Sequence, residues 1–221
     1  MIARYPALYR DAHGEEATVI ENDGKTLRMV VRGVEFTGTM FDDFEPSIAQ
    51  DDPALVSFSL YCNSLCSCVI ECDMSLPAIF GAETLEGLLH MRLELGDPRQ
   101  NERGGIDREE LQLALTVGDQ VFHSCGKHGW FDDELLEIEA VLPDGMYLRC
   151  CHYCTCSDYG PMGSPVFGVM YCFRDEPALR SAFRSKGDLF RKIFDPQALI
   201  VQETFHCPEF TPGKPRHIYK L

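Results

Sequence analysis

The stretch "EEATVIENDGKTLRMVV", residues 15–31, predicts a β-hairpin near the start of the chain. Asparagine, aspartate and glycine at 22–24 are a strong turn signal, because these residues tolerate the positive φ angles that tight hairpin turns require. After the turn, apolar side chains recur at every second position, at Leu27, Met29 and Val31. This is the period of a strand with one buried face, so the two segments flanking the turn are expected to pair antiparallel.

Three more segments have the same two-residue period: "LVSFSLYC" (55–62), "HMRLELG" (90–96) and "ELQLALTV" (110–117). Each is predicted to be a half-buried strand. Residues 41–54 are acidic and contain two prolines, and residues 96–109 are polar and contain a glycine pair. Both segments are therefore predicted to be loops, and the first half of the chain is interpreted as a set of strands.

Helical periodicity begins in the second half of the chain. In "GWFDDELLEIEAVLPDG" (129–145), apolar residues recur at helical spacing, acidic residues occupy the first turn, and proline and glycine follow the last turn. Residues 175–196 are predicted to form one helix, or two that are broken at Gly187. Residues 198–205, "ALIVQETF", are predicted to form a last strand.

This order of elements predicts an α+β fold. We expect a mostly antiparallel β-sheet, sandwich-like in the N-terminal part, with two or three helices in the C-terminal half. The chain is expected to be a single domain, 1–221, with possible substructure: a β-rich part, 1–125, and an α+β part, 126–221, that contains a cysteine site. The lack of regular strand–helix alternation argues against a doubly wound fold.

The protein is acidic, with a formal net charge of -15. That charge disfavours binding to nucleic acids and to anionic membranes, both of which require lysine and arginine. It permits a basic protein partner, although solubility is the simpler explanation. Oligomeric state is not predicted.

The expected cellular compartment determines the chemical state of the cysteines. The N-terminus lacks the apolar stretch of a signal peptide, and no apolar run is long enough to span a membrane, so we expect a cytoplasmic, bacterial protein. Disulfides do not persist in a reducing cytosol, and eleven cysteines are an odd number. The thiols are therefore core residues, metal ligands or reactive groups.

The first cysteine cluster, "CNSLCSCVIEC" (62–72), resembles a metal motif. Its four cysteines are Cys62, Cys66, Cys68 and Cys72. All four positions are even, as are Phe58 and Ile70, whereas most odd positions are polar. In a strand, alternate residues share one face, and reduced cysteine behaves as a small hydrophobic residue. The cluster is predicted to belong to the core, with a metal site as the alternative.

The second cluster, "CCHYCTCSDYG" (150–160), has no cleanly apolar face. Cys151 and Cys154 lie two residues apart where a strand runs into a turn, which is the spacing of a zinc knuckle. Tetrahedral zinc requires two more ligands, and Cys172 and Cys207 qualify, since each stands alone at the end of a predicted strand.

The predicted metal set is therefore Cys151, Cys154, Cys172 and Cys207, holding a structural zinc ion. The reserve ligands are Cys156, His152 and His206. Inert buried thiols and a redox or nucleophilic role remain alternatives.

A catalytic cysteine–histidine pair is the sharpest enzymatic alternative. "HSCGKHGW" (123–130) brings His123, Cys125 and His128 among glycines before a predicted helix N-terminus, where a thiol pKa is lowered. A turn that closes a strand–helix connection explains the segment more simply. No P-loop, dinucleotide fingerprint, G-x-S-x-G or H-E-x-x-H motif occurs, and the acidic groups at 41–45 and 131–134 are interpreted as solvated charge, so no catalytic residue is predicted.

The strings "CHYCTCSDYGPMGSPVFGVMYCFRD" (151–175) and "VQETFHCPEF" (201–210) resemble an uncharacterised family of bacterial proteins of unknown function. The resemblance is close in the C-terminal part and extends to the N-terminal strands only in layout. It implies the same recurring cysteines as the predicted metal set. Cys156 stands where the family has another residue, the tail "GKPRHIYKL" also departs from the family pattern, and no activity is carried over.

Two functional hypotheses follow. The first is a soluble, intracellular, non-catalytic protein that binds another protein, like an immunity protein or inhibitor, and contains a structural zinc site. The alternative is an enzyme that uses a reactive cysteine or a catalytic metal. Four thiolates leave no open coordination position, whereas a catalytic zinc keeps one, so metal content and cysteine substitution discriminate between the two.

Overall fold

The computed structural model describes residues 2–100, 104–159, 167, 170–178 and 199–213. Strands make up 49% of the described residues and helices 12%, so the described part of the protein is mostly β. The prediction of an α+β fold with two or three helices in the C-terminal half is wrong, because a single α-helix lies among the described residues. The antiparallel pairing of the strands is confirmed.

Thirteen strands precede the helix. They are β1 (Ala3–Asp11), β2 (Gly14–Asn22), β3 (Leu27–Val31), β4 (Val34–Gly38), β5 (Glu45–Pro46), β6 (Ser59–Tyr61), β7 (Ser64–Cys66), β8 (Cys68–Ser75), β9 (Ala78–Phe80), β10 (Glu83–Leu85), β11 (Gly87–Leu95), β12 (Glu109–Val117) and β13 (Gln120–His123). The later elements are the helix α1 (Phe131–Val141) and the strands β14 (Met146–Leu148), β15 (Ser157–Tyr159), β16 (Met170–Cys172) and β17 (Leu199–Val201). Short 3-10 helices span Pro53–Ser57 and Cys151–Tyr153.

A nine-stranded sheet dominates the molecule, in the order β13-β12-β11-β8-β1-β2-β3-β4-β5. The predicted hairpin is present, with Asn22 opposite Leu27 across β2 and β3. At the turn, the Asp23 side chain accepts hydrogen bonds from the N–H groups of Lys25 and Thr26, both at 2.8 Å.

The core lies on one face of this sheet. In β12, Leu111, Leu113 and Leu115 are buried, while the intervening Gln112 is exposed. The neighbouring strands β11 and β8 alternate in the same way. Since each strand buries every second residue, the predicted two-residue period is confirmed in the centre of the sheet.

The first cysteine cluster is largely a core feature, as predicted. Cys66, Cys68 and Cys72 are buried, and burial raises the pKa of Cys68 to about 12. The prediction is wrong for Cys62, which is exposed at the turn between β6 and β7 with φ 49°. The turn needs a second residue in the left-handed region, Asn63, so the two-residue alternation stops there.

The helix α1 packs against β12 and β13 and buries Phe131, Leu135 and Ile138, which confirms its predicted apolar face. The other predicted helix, 175–196, falls mainly on residues 179–198, which lie outside the described residues.

Short strands make up much of the remaining described C-terminal half. β14 joins β9 and β10 in one three-stranded sheet, and β15, β16 and β17 form another. The backbone groups of residues 150–157 and 170–173 form hydrogen bonds with other parts of the chain.

Candidate metal centre

The C-terminal segment, residues 199–213, folds back onto the second cysteine cluster. The Cys151 N–H donates to the Phe205 carbonyl at 2.7 Å, and the Thr155 N–H donates to the Thr211 carbonyl at 2.8 Å. An isolated bridge also pairs Cys154 with Pro212. Backbone hydrogen bonds therefore attach the last part of the chain to the turn that contains the C-x2-C pair.

A second segment reaches the same turn through β16. Cys172 lies opposite Ser157 in the pairing of β15 with β16, and the Phe173 N–H donates to the Cys156 carbonyl at 2.7 Å. The Arg174 guanidinium lies 3.0 Å from the Glu209 carboxylate. Three stretches that are distant in sequence thus meet at one place.

The thiols of Cys154, Cys172 and Cys207 lie close enough to Cys151 to affect its pKa. The pKa of the Cys151 thiol is raised, first by burial and then by the adjacent thiols of Cys150, Cys172, Cys154 and Cys207. Cys151 and Cys154 are buried, and Cys172 and Cys207 are half-buried. Burial also raises the pKa of Cys172, against an opposing hydrogen bond from the backbone of Arg174.

The thiols of this set do not form a closed site as they stand. Within the described part of the chain, only one group of three or more ligand atoms has every atom within 4.8 Å of the others, and this group is Cys125, His128 and Glu137. The four cysteines would have to turn toward one another to reach tetrahedral spacing.

The reserve ligands have other surroundings. His152 is buried and its Nδ1 lies 3.0 Å from the Tyr159 hydroxyl. His206 is exposed and lines a cleft of about 920 Å³ beside Gly118 and Gln120. Cys156 is half-buried. The two histidines are thus less suited to replace one of the four cysteines, whereas Cys156 lies close enough to raise the pKa of the Cys172 thiol and stays a reserve ligand.

Sequence reasoning missed a buried polar network beside the turn. The Tyr159 hydroxyl donates to Glu203 Oε1 at 3.1 Å and so joins His152 to the C-terminal segment. The Asn22 amide donates to the Tyr5 hydroxyl at 2.8 Å and to the side chain of Gln202. The signal was the polar run "QET" (202–204) directly after an apolar strand, since buried polar side chains require partners.

The carboxyl group of Asp42 is half-buried beside a cleft. Burial raises the pKa of Asp42 to about 7, and the charge of Glu109 adds to the effect. Both residues line a cleft of about 460 Å³, together with Arg108 and Tyr61. The interpretation of this acidic group as solvated charge is therefore wrong for Asp42.

The loop before α1 does not support a nucleophilic cysteine. Glu137, rather than a histidine, is the hydrogen-bond partner of the Cys125 thiol, and it raises the thiol pKa. Hydrogen bonds from Cys125 and His128 lower the pKa of Glu137 to about 2. The expectation that the helix N-terminus lowers this thiol pKa is thus wrong, because a carboxylate lies closer to the thiol.

Residues 3–157 match a family described as "Family of unknown function (DUF6304)". The chain belongs to the DUF6304 family. Comparisons with curated proteins and with solved structures found no match.

The resemblance to an uncharacterised family of unknown function is therefore confirmed. The matched residues of this DUF6304 protein include the whole nine-stranded sheet, for which only a likeness in layout had been expected. Cys151 and Cys154 lie inside the match, whereas Cys172 and Cys207 lie beyond it. In the described part of the chain, no helix is long and apolar enough to cross a membrane.

Proposed function

We propose that this DUF6304 protein is a non-catalytic protein-binding protein of a reducing compartment, whose C-terminal part is held by a structural zinc ion. The ligands are Cys151, Cys154, Cys172 and Cys207. The observation behind the proposal is that two distant segments, 170–174 and 199–213, meet at the turn 150–157, and each of the three stretches contains a proposed ligand.

Zinc would compensate for a small local core. The sheet β15-β16-β17 has strands of three residues each, and among the described residues its buried hydrophobic cluster consists of Cys151, Tyr159, Met170 and Val201. So small a core contributes little stability by itself. A structural zinc ion supplies folding free energy directly, because its site does not exist in the unfolded chain.

The donor set suits a structural rather than a catalytic ion. Four thiolates fill a tetrahedral shell and leave no position for water or substrate. All four thiols are free, which is a requirement for metal binding. Binding would turn the thiols inward and release their protons.

The proposed partner is a basic protein. The net charge is -15, and arginines on the main sheet are already paired with carboxylates, as in Arg4–Glu21, Arg28–Glu35 and Arg92–Glu94. The excess charge is therefore negative. Charge complementarity of this kind steers association and accelerates it at low salt.

Zinc content and cysteine substitution test the structural site. The purified protein is expected to contain a zinc ion at this site that is lost in Cys172→Ser and in Cys207→Ser, each with a lower unfolding temperature. Cys62→Ser, at an exposed thiol far from the turn, is the matched control. Unchanged metal content and stability in both variants would rule out this ligand set.

Protein binding is tested separately by capture from the native host at low and at high salt. A basic protein that is retained only at low salt supports the proposal. No retained protein, together with turnover of a small substrate, would favour the enzymatic alternative instead.

A reactive-cysteine enzyme is less well supported. Burial raises the pKa of Cys150 to about 12, and the pKa of exposed Cys125 is raised by Glu137. Slow alkylation of Cys150 and Cys125 by iodoacetamide near neutral pH is therefore expected, whereas rapid modification of either thiol would revive this alternative.

A further inference from the structure

Three different ligand groups lie close together where the loop between β13 and α1 meets the helix. Cys125 Sγ, a ring nitrogen of His128 and a carboxylate oxygen of Glu137 all lie within 4.8 Å of one another. His128 Nε2 is 2.8 Å from Glu137 Oε1, and the Cys125 N–H donates to Glu137 Oε2 at 3.0 Å. Glu137 comes from the helix and the other two from the loop.

A buried carboxylate holds the loop in this shape. Glu134, which is 0% exposed, accepts hydrogen bonds from the N–H groups of Gly126 and His128, both at 2.8 Å. A buried carboxylate is costly unless it is hydrogen-bonded. Its position one helical turn before Glu137 therefore fixes the loop relative to the helix.

The loop also requires glycine between its two ligand residues. Gly126 has φ 67°, and an added Cβ there would lie 2.9 Å from Cγ of Gln112. A larger residue at this position would be strained and crowded. The chain reversal that brings Cys125 and His128 to the same side thus depends on Gly126.

We propose that Cys125, His128 and Glu137 form a second metal site, which binds a divalent transition-metal ion of the zinc type and leaves one coordination position open to water. The site is independent of the proposed cysteine site and goes beyond the proposed function.

The three ligand types indicate which metal ion the site would bind. Sulfur, imidazole nitrogen and carboxylate oxygen are the three ligand types of zinc, whereas magnesium and calcium bind oxygen. Bond lengths of about 2.0–2.3 Å place tetrahedral ligands roughly 3.3–3.8 Å apart. The three atoms already lie within 4.8 Å, so an ion requires only small side-chain movements.

The open position has room beside it. His128 and Glu137 also line an open cleft of about 470 Å³ along α1, together with Asp133, Leu136 and Val141. A site with three protein ligands and access to solvent has the composition of a catalytic or exchangeable zinc site rather than a structural one.

Cobalt titration of the reduced, metal-free full-length protein tests the site. Co²⁺ is expected to give a thiolate charge-transfer band and tetrahedral visible bands, and Zn²⁺ to displace it. Cys125→Ser, His128→Ala and Glu137→Gln should each weaken cobalt affinity by about 100-fold or more, since loss of an outer partner alone costs about 10–100-fold.

Matched controls are Cys62→Ser, another exposed thiol, and His123→Ala, an exposed histidine of β13. Both should leave cobalt affinity unchanged. The three ligand residues are exposed or half-exposed, so the variants are expected to keep the unfolding temperature of the metal-free wild type, which separates ligand loss from misfolding.

Stoichiometry distinguishes this site from the cysteine site. Two ions in the wild type and one in Cys125→Ser support both sites, and one ion that Cys125→Ser removes supports this site alone. The proposal is overturned if Cys125→Ser and His128→Ala bind cobalt as the wild type does, or if no cobalt band depends on Cys125.

Discussion

The N–H of Cys151 donates to the carbonyl oxygen of Phe205 at 2.7 Å, which joins the C-x2-C turn to the last described segment of the chain. The Arg149 guanidinium adds a hydrogen bond to the Cys207 carbonyl at 3.1 Å. Through these bonds the cysteine turn and the C-terminal segment form one structural unit.

Removal of the proposed zinc ion is expected to loosen this unit without unfolding the main sheet. Amide hydrogen exchange should accelerate at Cys151, Thr155 and Gly213 after chelation, because their hydrogen bonds lie within the segment that the ion would fasten. Ile70, in β8 near the centre of the main sheet, should remain protected. Equal exchange with and without the chelator would count against a structural ion here.

Tyr159→Phe is expected to destabilise the protein by about 1–3 kcal/mol. The hydroxyl lies between His152 and Glu203, and its removal takes a hydrogen-bond partner from each of two buried groups. Urea unfolding measures the effect. Tyr171→Phe, at a half-buried tyrosine in the same small sheet, is the control and should cost less. Equal losses would mean that the bridge contributes no special stability.

Asp42→Asn is expected to stabilise the protein in mild alkali and to have little effect in acid. The folded-state pKa, about 7, is above the ordinary value of 3.8, so the folded protein holds an extra proton between these values. Stability from this group is therefore highest below about pH 4, falls as the pH rises toward 7, and stays low above it.

The expected gain in the free energy of unfolding near pH 8 is on the order of 2–4 kcal/mol, because the pKa of Asp42 is raised from 3.8 to about 7. Urea unfolding near pH 4 and near pH 8 measures it, with exposed Asp51→Asn as the control. A gain of the same size at both pH values would show that ionisation of Asp42 is not the cause.

Arg32→Met is expected to destabilise the protein by about 2–3 kcal/mol at neutral pH, because it leaves Asp11 without its cation. The guanidinium nitrogens of Arg32 lie 2.7 Å from both oxygens of Asp11. The guanidinium also lies 5.5 Å from the ring centre of Tyr9 and 5.3 Å from that of Phe58. Methionine keeps the apolar stem, so the comparison measures the loss of the guanidinium group with its charge and hydrogen bonds.

The destabilisation caused by Arg32→Met should be smaller at acidic pH. Burial alone would raise the pKa of Asp11, but hydrogen bonds from Arg32 and from the His13 N–H lower it overall. Stability from the pair is thus present at neutral pH and is lost as the pH falls through the folded-state pKa. The control is Arg10→Met, which removes an exposed ion pair with Glu15 and should lower the free energy of unfolding by only about 0–1 kcal/mol. A loss that is constant with pH would assign the effect to packing.

Much of the main sheet could be predicted from short-range pattern alone. The hairpin at 22–24 and the burial of alternate residues in β11 and β12 depend on turn chemistry and on a period of two, both of which are local. The same period placed Cys66 and Cys68 in the core and failed at Cys62, where the turn interrupts it.

The sites were less predictable. Sequence reasoning considered a catalytic pair among His123, Cys125 and His128 and preferred a simple turn. It could not foresee that Glu137 would reach Cys125 and His128 from α1. It also treated Asp42 as solvated, because burial of a loop carboxyl has no signature in local sequence.

The sequence by itself determined that this protein is built on antiparallel strands with one buried face, because alternation of side chains along a strand is a property of a few neighbouring residues. Only the tertiary structure decided which distant groups meet: Cys151 with Phe205, Tyr159 with Glu203, and Cys125 with Glu137. The physical reason is that the entropic cost of closing a loop changes only slowly with its length, so packing rather than spacing selects the partners.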